Sequence, residues 1–542
     1  MKKKILYLIL VSMLALGLVL TGCGGAPSEQ QEEEEEEEEF TNWVTFAVPG
    51  PMSFIQGRDH WAGAELARDE INAAGGINIS GTAYGIKLIQ VETNEIMDLS
   101  GADGVTALSA VIDDVDFVIG GFRTESLLVY REVAMTAKKI FIDDGAATTM
   151  FCKSVFTNYA KYKYFFKGTP YNEVFLVTQA LKQLGSINSV LKGLKGPSQP
   201  AQLRLAVIME DATWCNPMLP YIIGTCPALG INYTGVQKCA SNADDLSSEL
   251  TAIAASDPHI VFTILSGPPG KAYGSQQHTY LPNAFSMGIN VESQDINYHK
   301  DTGAEYHVTL DTWADGVALT SKTLDFFAAM MDKTDRYPTY CAATYDNIYG
   351  LKLAMESEGL NTDAIITYME TFDNAYTGTA AKTVWYSDIV VYNATAGVGY
   401  LSFDQAMDIY PHLPKLYGVD EATLKTNWAA YALGVAIPGS TTLNGFTTSH
   451  GFLPHDTAYG PGLQTGQGVQ WQEVGGVWKK LGWWPFVATA TGANKKAIDL
   501  DATETATLKA AGLLDKFGNW NFAYPGSVPL KVPPQWVGHF GV

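Results

Sequence analysis

Short apolar runs alternate with amphipathic helical segments along this chain, and the alternation runs out and then begins again. Val44 to Val48 reads as a strand, and Arg58 to Asn72 carries Trp61, Ala64, Ala67 and Ile71 at helical spacing before Gly75-Gly76 halts it. A strand near Ile86 to Val91, a helix through Val105, Leu108 and Ile112, a strand at Phe117 to Ile119, a helix from Glu125 to Lys138 and a strand at Ile140 to Ile142 follow. The pattern restarts with a strand at Leu205 to Met209, a helix from Cys215 to Ala228, a strand near Asn232 to Val236, a helix through Leu246, Leu250 and Ile253, and a strand at Ile260 to Leu265. Strands spaced by helices cannot pair as hairpins. The chain is therefore expected to be α/β, with two doubly wound parallel-sheet lobes joined by a hinge around Phe165 to Asn172.

The N-terminus decides the compartment. Lys2, Lys3 and Lys4 precede the apolar run of residues 5 to 20, and Leu20-Thr21-Gly22-Cys23 follows at once. The run is shorter than the roughly 20 residues needed to cross a bilayer, so it reads as a secretory signal. Residues 20 to 23 resemble a bacterial lipobox, which implies cleavage before Cys23 and a lipid on its thiol. Gly24 to Phe40 contains eight consecutive glutamates, Glu32 to Glu39, whose mutual repulsion suits an extended tether. Residues 41 to 542 hold 32 bases against 48 acids, with no basic cluster. Nucleic acid is therefore excluded as a partner, and the lipid is the membrane attachment to expect. Beyond Cys23 the cysteines are Cys152, Cys215, Cys226, Cys239 and Cys341, an odd number that allows at most two bridges. Cys215 and Cys226 lie too far apart along one helix to pair. Cys215 and Cys239 fall at the same sheet edge, and a disulfide between them is the expectation.

The string Gly63-Ala64-Glu65 through Asp69-Glu70-Ile71-Asn72-Ala73-Ala74-Gly75-Gly76-Ile77, followed by Val118-Ile119-Gly120-Gly121, resembles extracellular solute-binding proteins of the branched-chain amino acid type, which serve ATP-driven importers. Arg204 to Met209, Ala314-Asp315-Gly316-Val317 and Ala342-Ala343-Thr344-Tyr345-Asp346 are similar to further parts of the same family. The resemblance covers roughly residues 44 to 360. It implies a type I periplasmic binding fold, a Venus-flytrap with ligand clamped between lobes at the strand C-terminal edges. It also implies a monomer without cofactor or metal, with a small solute and membrane permease and ATPase subunits as partners. The layout follows: signal at 1–22, lipidated acidic linker at 23–43, lobe one at 44–168, lobe two at 169–318, a return to lobe one at 319–400, and a C-terminal extension with closing strands at 401–542. Gly466 to Trp484, rich in Trp and Val, reads as those strands.

The candidate ligand contacts lie in the strand-to-helix turns, where helix N-termini expose N–H groups. The resemblance puts Thr124 where the family uses a hydroxyl for the ligand carboxylate, and Gly145 where it uses a backbone carbonyl. Ala147 falls at the second hydroxyl position by ungapped count, and Thr148 one step on supplies the hydroxyl. Arg123 departs from the pattern and could clamp a carboxylate bidentately. Trp214 in lobe two offers an aromatic face over the ligand. Ser53, Gln56 and Ser266 are further candidates at the cleft rim. The acid that would hold an ammonium is not placed: Asp301, Asp143 and Asp144 are the nearest choices, and a ligand lacking an α-amino group stays open.

Catalytic motifs fail on inspection. Ser266-Gly267-Pro268-Pro269-Gly270-Lys271 lacks the first glycine and the final hydroxyl of a phosphate loop, and neither a Gly-x-Ser-x-Gly elbow nor a His-Glu-x-x-His helix occurs. His450 and His455 are weak metal candidates. A non-enzymatic, extracytoplasmic binding lipoprotein for an amino acid, amide or carboxylate is the expectation. A sensory lipoprotein signalling through a membrane partner is the alternative.

Overall fold

A computed structural model describes residues 40–193 and 202–371 without a break, and shorter stretches from 374 to 532, among them 420–428, 453–457 and 466–484. The signal segment, Cys23, the glutamate run and His450 lie outside the described residues. No helix among the described residues is long and apolar enough to cross a membrane.

The first sheet contains β1 (Asn42–Gly50), β2 (Ile77–Ile79), β3 (Thr82–Glu92), β4 (Phe117–Gly120), β5 (Ile140–Asp143) and β6 (Phe165–Lys167), in the order β2-β3-β1-β4-β5-β6. All neighbours are parallel except β2 against β3. Every residue of β4 and β5 is buried, as a parallel sheet covered on both faces requires. Helix Ile55–Ala73 links β1 to β2 and stops where anticipated. Gly75 and Gly76 take φ of 92° and 80°, and the Gly76 N–H reaches back to Ile71 O at 2.8 Å.

The second sheet is β10-β9-β7-β8, all parallel, from β7 (Leu203–Glu210), β8 (Ile231–Cys239), β9 (Ile260–Leu265) and β10 (Phe285–Asn290). Alternation along β7 divides its side chains between two cores. Leu203, Leu205, Val207 and Met209 join helix Glu173–Gly193 on one face, and Ala206 and Ile208 join Leu246, Leu250 and Tyr273 on the other. The segment expected as one helix from Cys215 is instead a 3-10 turn, Asn216–Met218, and a short helix, Leu219–Thr225. Pro217 and Pro220 each lack the N–H that a continuous helix would need, so each can only sit in a first turn.

The chain then returns to the first core. Phe326, Phe327 and Met330 of helix Thr323–Thr334, and Ile348, Leu351 and Met355 of helix Thr344–Glu358, pack with Val44, Phe46 and Ala67. A third sheet is antiparallel: β11 (Val308–Asp311), β12 (Gln467–Val474) and β13 (Val477–Trp484), in that order. Gly475 and Gly476, with φ of 61° and 82°, make the two-residue hairpin turn between the last two strands. The run read as closing strands thus forms a hairpin whose first strand, β12, pairs with the crossing segment β11.

The Cys215–Cys239 bridge is not formed, and all five described cysteines are free thiols. Cys215 belongs to the core on one face of the second sheet and Cys239 to the core on the other. Their thiols point to different carbonyls, Ile264 O at 3.8 Å and Met209 O at 3.6 Å. A shared sheet edge was the correct inference, but side-chain alternation puts the sheet between them. Alkylation of the unfolded chain without reductant is therefore expected to label both residues. A cross-linked peptide containing the two would contradict this arrangement.

Candidate functional site

The turns after β4, β5, β7, β9 and β10 converge with the crossing segments around one cavity. From the first lobe come Phe122, Arg123, Thr124, Gly145, Ala147 and Tyr340. From the second come Trp214, Ser266, Ile289, Val291 and Gln294, and Thr169, Pro170, Tyr171, Leu310, Asp311, Thr312 and Gly466 lie at the crossings. The walls are mostly apolar or aromatic. The free volume is about 50 Å³, well below the roughly 150 Å³ of a cavity that holds benzene. The two lobes meet across this cavity.

What joins them is polar. Arg123, 1% exposed, sends Nη1 to Glu210 Oε2 at 2.6 Å across the cleft and Nη2 to Ser241 O at 3.3 Å. Glu210 ends the apolar strand β7, and its other oxygen accepts from both the N–H and the hydroxyl of Ser266. The Gln56 amide donates to Glu292 Oε1 at 2.8 Å, and the Thr213 N–H donates to Glu125 Oε1 at 2.7 Å, both again between lobes.

The turn that carries Arg123 and Thr124 is held from below by Glu95. Its carboxylate accepts the Phe122 N–H at 3.1 Å and the Arg123 N–H at 2.7 Å, with Thr93 Oγ1 donating to the other oxygen at 2.7 Å. Burial pushes the Glu95 carboxyl up to about 7, against the opposing pull of the Thr93 hydroxyl, these backbone donors and Tyr130. These two N–H groups, expected to receive a ligand, are thus filled from within. The Thr124 hydroxyl is different: it is buried, lines the cavity and has no partner.

The family profile described as "Periplasmic binding protein" matches residues 44–389. The chain belongs to the periplasmic binding protein family. This is a family of solute binders and not of enzymes. Among solved structures, this binding protein is similar to the branched-chain amino acid transporter substrate binding protein LivJ from Streptococcus pneumoniae, in complex with isoleucine. That match has 17% identity and a TM-score of 0.51, and covers 64% of this chain and 93% of the other. It is also similar to an ABC transporter solute binding protein from Rhodopseudomonas palustris in complex with 3,4-dihydroxybenzoic acid, at 16% identity and a TM-score of 0.50, covering 63% and 88%. A second protein from R. palustris, in complex with 4-hydroxybenzoate, gives 14% identity and a TM-score of 0.51, with the same coverage of 63% and 88%. At these identities the likeness is one of fold. No curated protein matches the chain by sequence.

In this binding protein the cavity wall gathers Arg123, Thr124, Gly145, Trp214 and Ser266 from the residues anticipated. Gly145 is required sterically, since a Cβ there would collide with the Gly121 carbonyl oxygen. Thr148 is outside the wall, where its oxygen accepts the Met150 N–H at 3.3 Å, and Ala147 takes the lining position. Gln56 is outside the wall, its amide nitrogen donating to Glu292 and its oxygen buried without a partner. Ser53 lies on a separate depression with Arg58, Gly267 and Lys271, its carbonyl taken by Arg58.

The candidate acids are also displaced. Asp143 is buried against Lys167 at 3.1 Å and caps the Gly145 and Ala146 N–H groups; Asp144 is buried and accepts from Thr169 and Asn347. Asp301 pairs with Lys271 at 3.6 Å on the surface. His455 is buried, bonded to Phe165 O and Glu370, and no metal-binding cluster occurs among the described residues. Sequence reasoning missed Glu210, Gln294 and Asp311. An acid ending an apolar strand at the ligand edge was a usable signal for Glu210; nothing local marks Gln294.

Two outcomes follow. With Arg123→Met, Glu210 would be left as a lone buried carboxylate, a cost of about 3–5 kcal/mol that opening the lobes relieves. The ratio of closed to open molecules should fall about a hundredfold to several thousandfold. Small-angle scattering should then show a larger radius of gyration, and Arg123→Met with Glu210→Met should recover the compact form. For Glu95, a folded value of about 7 stands above the ordinary carboxylate value. Its stabilising contribution is complete below about pH 4.5 and is lost as pH rises through 7. From pH 5 to pH 8, denaturant unfolding should show the native protein losing stability relative to Glu95→Gln.

Proposed function

We propose that this protein is an extracytoplasmic, lipid-anchored solute-binding protein that captures a small polar solute between its lobes and delivers it to the permease and ATPase subunits of an ATP-driven importer. The observation that carries this reading is the cavity itself. It is walled by both lobes and all the crossings, largely apolar, and supplied with the unpartnered Thr124 hydroxyl. A ligand that bridges Thr124 on one lobe and Trp214 or Gln294 on the other favours the lobes together over the lobes apart, and with about 50 Å³ free its entry requires the walls to move outward. The solved relatives hold isoleucine and hydroxybenzoates, solutes with an apolar body and polar ends, which suits such walls. The lipobox-like Leu20 to Cys23 supports attachment through Cys23, and the acidic segment 24–40 supports a tether.

A thermal-shift screen against amino acids, amides, and aliphatic and aromatic carboxylates tests the reading. A ligand at about 100 times Kd should stabilise the protein by roughly 2.7 kcal/mol. That gain should disappear in a variant with Trp214→Ala and Thr124→Val. Silence across the whole panel would count against solute binding. Palmitate labelling that persists in Cys23→Ser would count against the anchor.

A further inference from the structure

The charged groups in the cavity wall itself, Arg123 and Asp311, are already matched within the protein. The Arg123 guanidinium is paired with Glu210, whose two oxygens are taken by Arg123 and Ser266. Asp311, in the cavity wall, accepts the Thr312 N–H on one oxygen and the Lys480 ammonium on the other. Asp143 is matched by Lys167 and two backbone N–H groups. Glu125, beside Thr124 but outside the wall, accepts the Thr213 N–H on one oxygen, and its other oxygen is buried without a partner. Bringing a charged solute into this space would bury a charge without a counter-charge, or would break one of these pairs and strand its partner.

The buried polar atoms left over among the lining residues are few. Thr124 Oγ1 and Arg123 Nε can donate, and Gln294 Oε1 can only accept. Gln294 is 2% exposed and is held firmly. Its Nε2 donates to Leu310 O at 2.9 Å, and its own carbonyl accepts from Lys480 at 2.9 Å. Its amide oxygen is buried without a partner, so an N–H or O–H from a ligand that reached it would satisfy it.

We infer that the solute is electrically neutral: a carboxamide with an apolar body, whose carbonyl oxygen accepts from Thr124 and Arg123 and whose N–H donates to Gln294. This rests on the solute-binding reading above and narrows its ligand class. Gln294 is then the residue that sets specificity, in place of the acid an amino acid's ammonium would need.

The test compares solutes that share a body: isovaleramide, isovalerate and leucine on one side, benzamide and benzoate on the other, by calorimetry and thermal shift on the full chain. The expected result is that at least one amide binds about tenfold or more tighter than its carboxylate and than leucine. In Gln294→Leu that amide should lose about tenfold in affinity, measured at a temperature where the free variant, which loses the Nε2 bond to Leu310 O, is shown by its own melting curve to be folded. Tighter binding of isovalerate, benzoate or leucine would overturn the inference, as would an amide affinity unchanged in Gln294→Leu or no binding by any of the five. If the broader screen still finds a charged ligand, only the neutral class falls. If it finds none, the solute-binding reading falls as well.

Discussion

Glu210 is the point at which the two lobes depend on each other. It ends β7, the strand that β8 and β9 flank, so its position is set by the core of the second lobe. From there it meets a guanidinium from the first lobe and the N–H and hydroxyl of Ser266. Removed from water, such a pair is not a net source of stability compared with apolar packing. What it provides is selectivity between arrangements. In the open form both charges regain solvent, and in the closed form each requires the other in register. A hinge protein needs such a bistable contact, strong enough to define closure and weak enough, after desolvation, to release it.

The same pair explains why the helix N-terminus at Thr124 is not a plain anion site. The two N–H groups just before it, of Phe122 and Arg123, are taken by Glu95, whose carboxyl burial pushes up to about 7. Arg123 is therefore presented by a turn anchored from its own lobe and neutralised from the other. The hydroxyl of Thr124 is left as the group facing the cavity, beside a cation whose charge is already answered.

The fold was legible because it is written in local periodicity. The strands read at Val44, Ile86, Phe117, Ile140, Leu205, Asn232 and Ile260 and the glycine stop at Gly75-Gly76 follow from patterning and turn chemistry close in sequence, whereas the short strands Ile77–Ile79, Phe285–Asn290 and Val308–Asp311 carry too little pattern to be read. Even the family string has a packing cause. Gly63 lies where a Cβ would strike the Ala342 carbonyl oxygen, so two distant pieces of the resemblance are one seam between helix Ile55–Ala73 and the 340–343 turn. Arg123, Thr124, Gly145, Trp214 and Ser266 were reachable because strand-to-helix turns face the cleft by topology. The failures are of another kind. The disulfide failed because edge position does not tell which face a side chain takes. Thr148 failed by one residue of register, and Gln294 and Asp311 were invisible because nothing near them in sequence says which wall they join.

The C-terminal strands show how far such a site reaches. Lys480 is fully buried on β13, and its ammonium is answered by Asp311 on β11 and by the carbonyl of Gln294. Burial still lifts the Asp311 carboxyl to about 6, with Lys480 holding it down. Without that lysine the cavity wall would carry an unanswered acid and could welcome an ammonium. With it, the wall is neutral and the amide oxygen of Gln294 becomes the acceptor on offer. The run read as closing strands thus supplies, from far along the chain, the charge that answers the acid in the cavity wall.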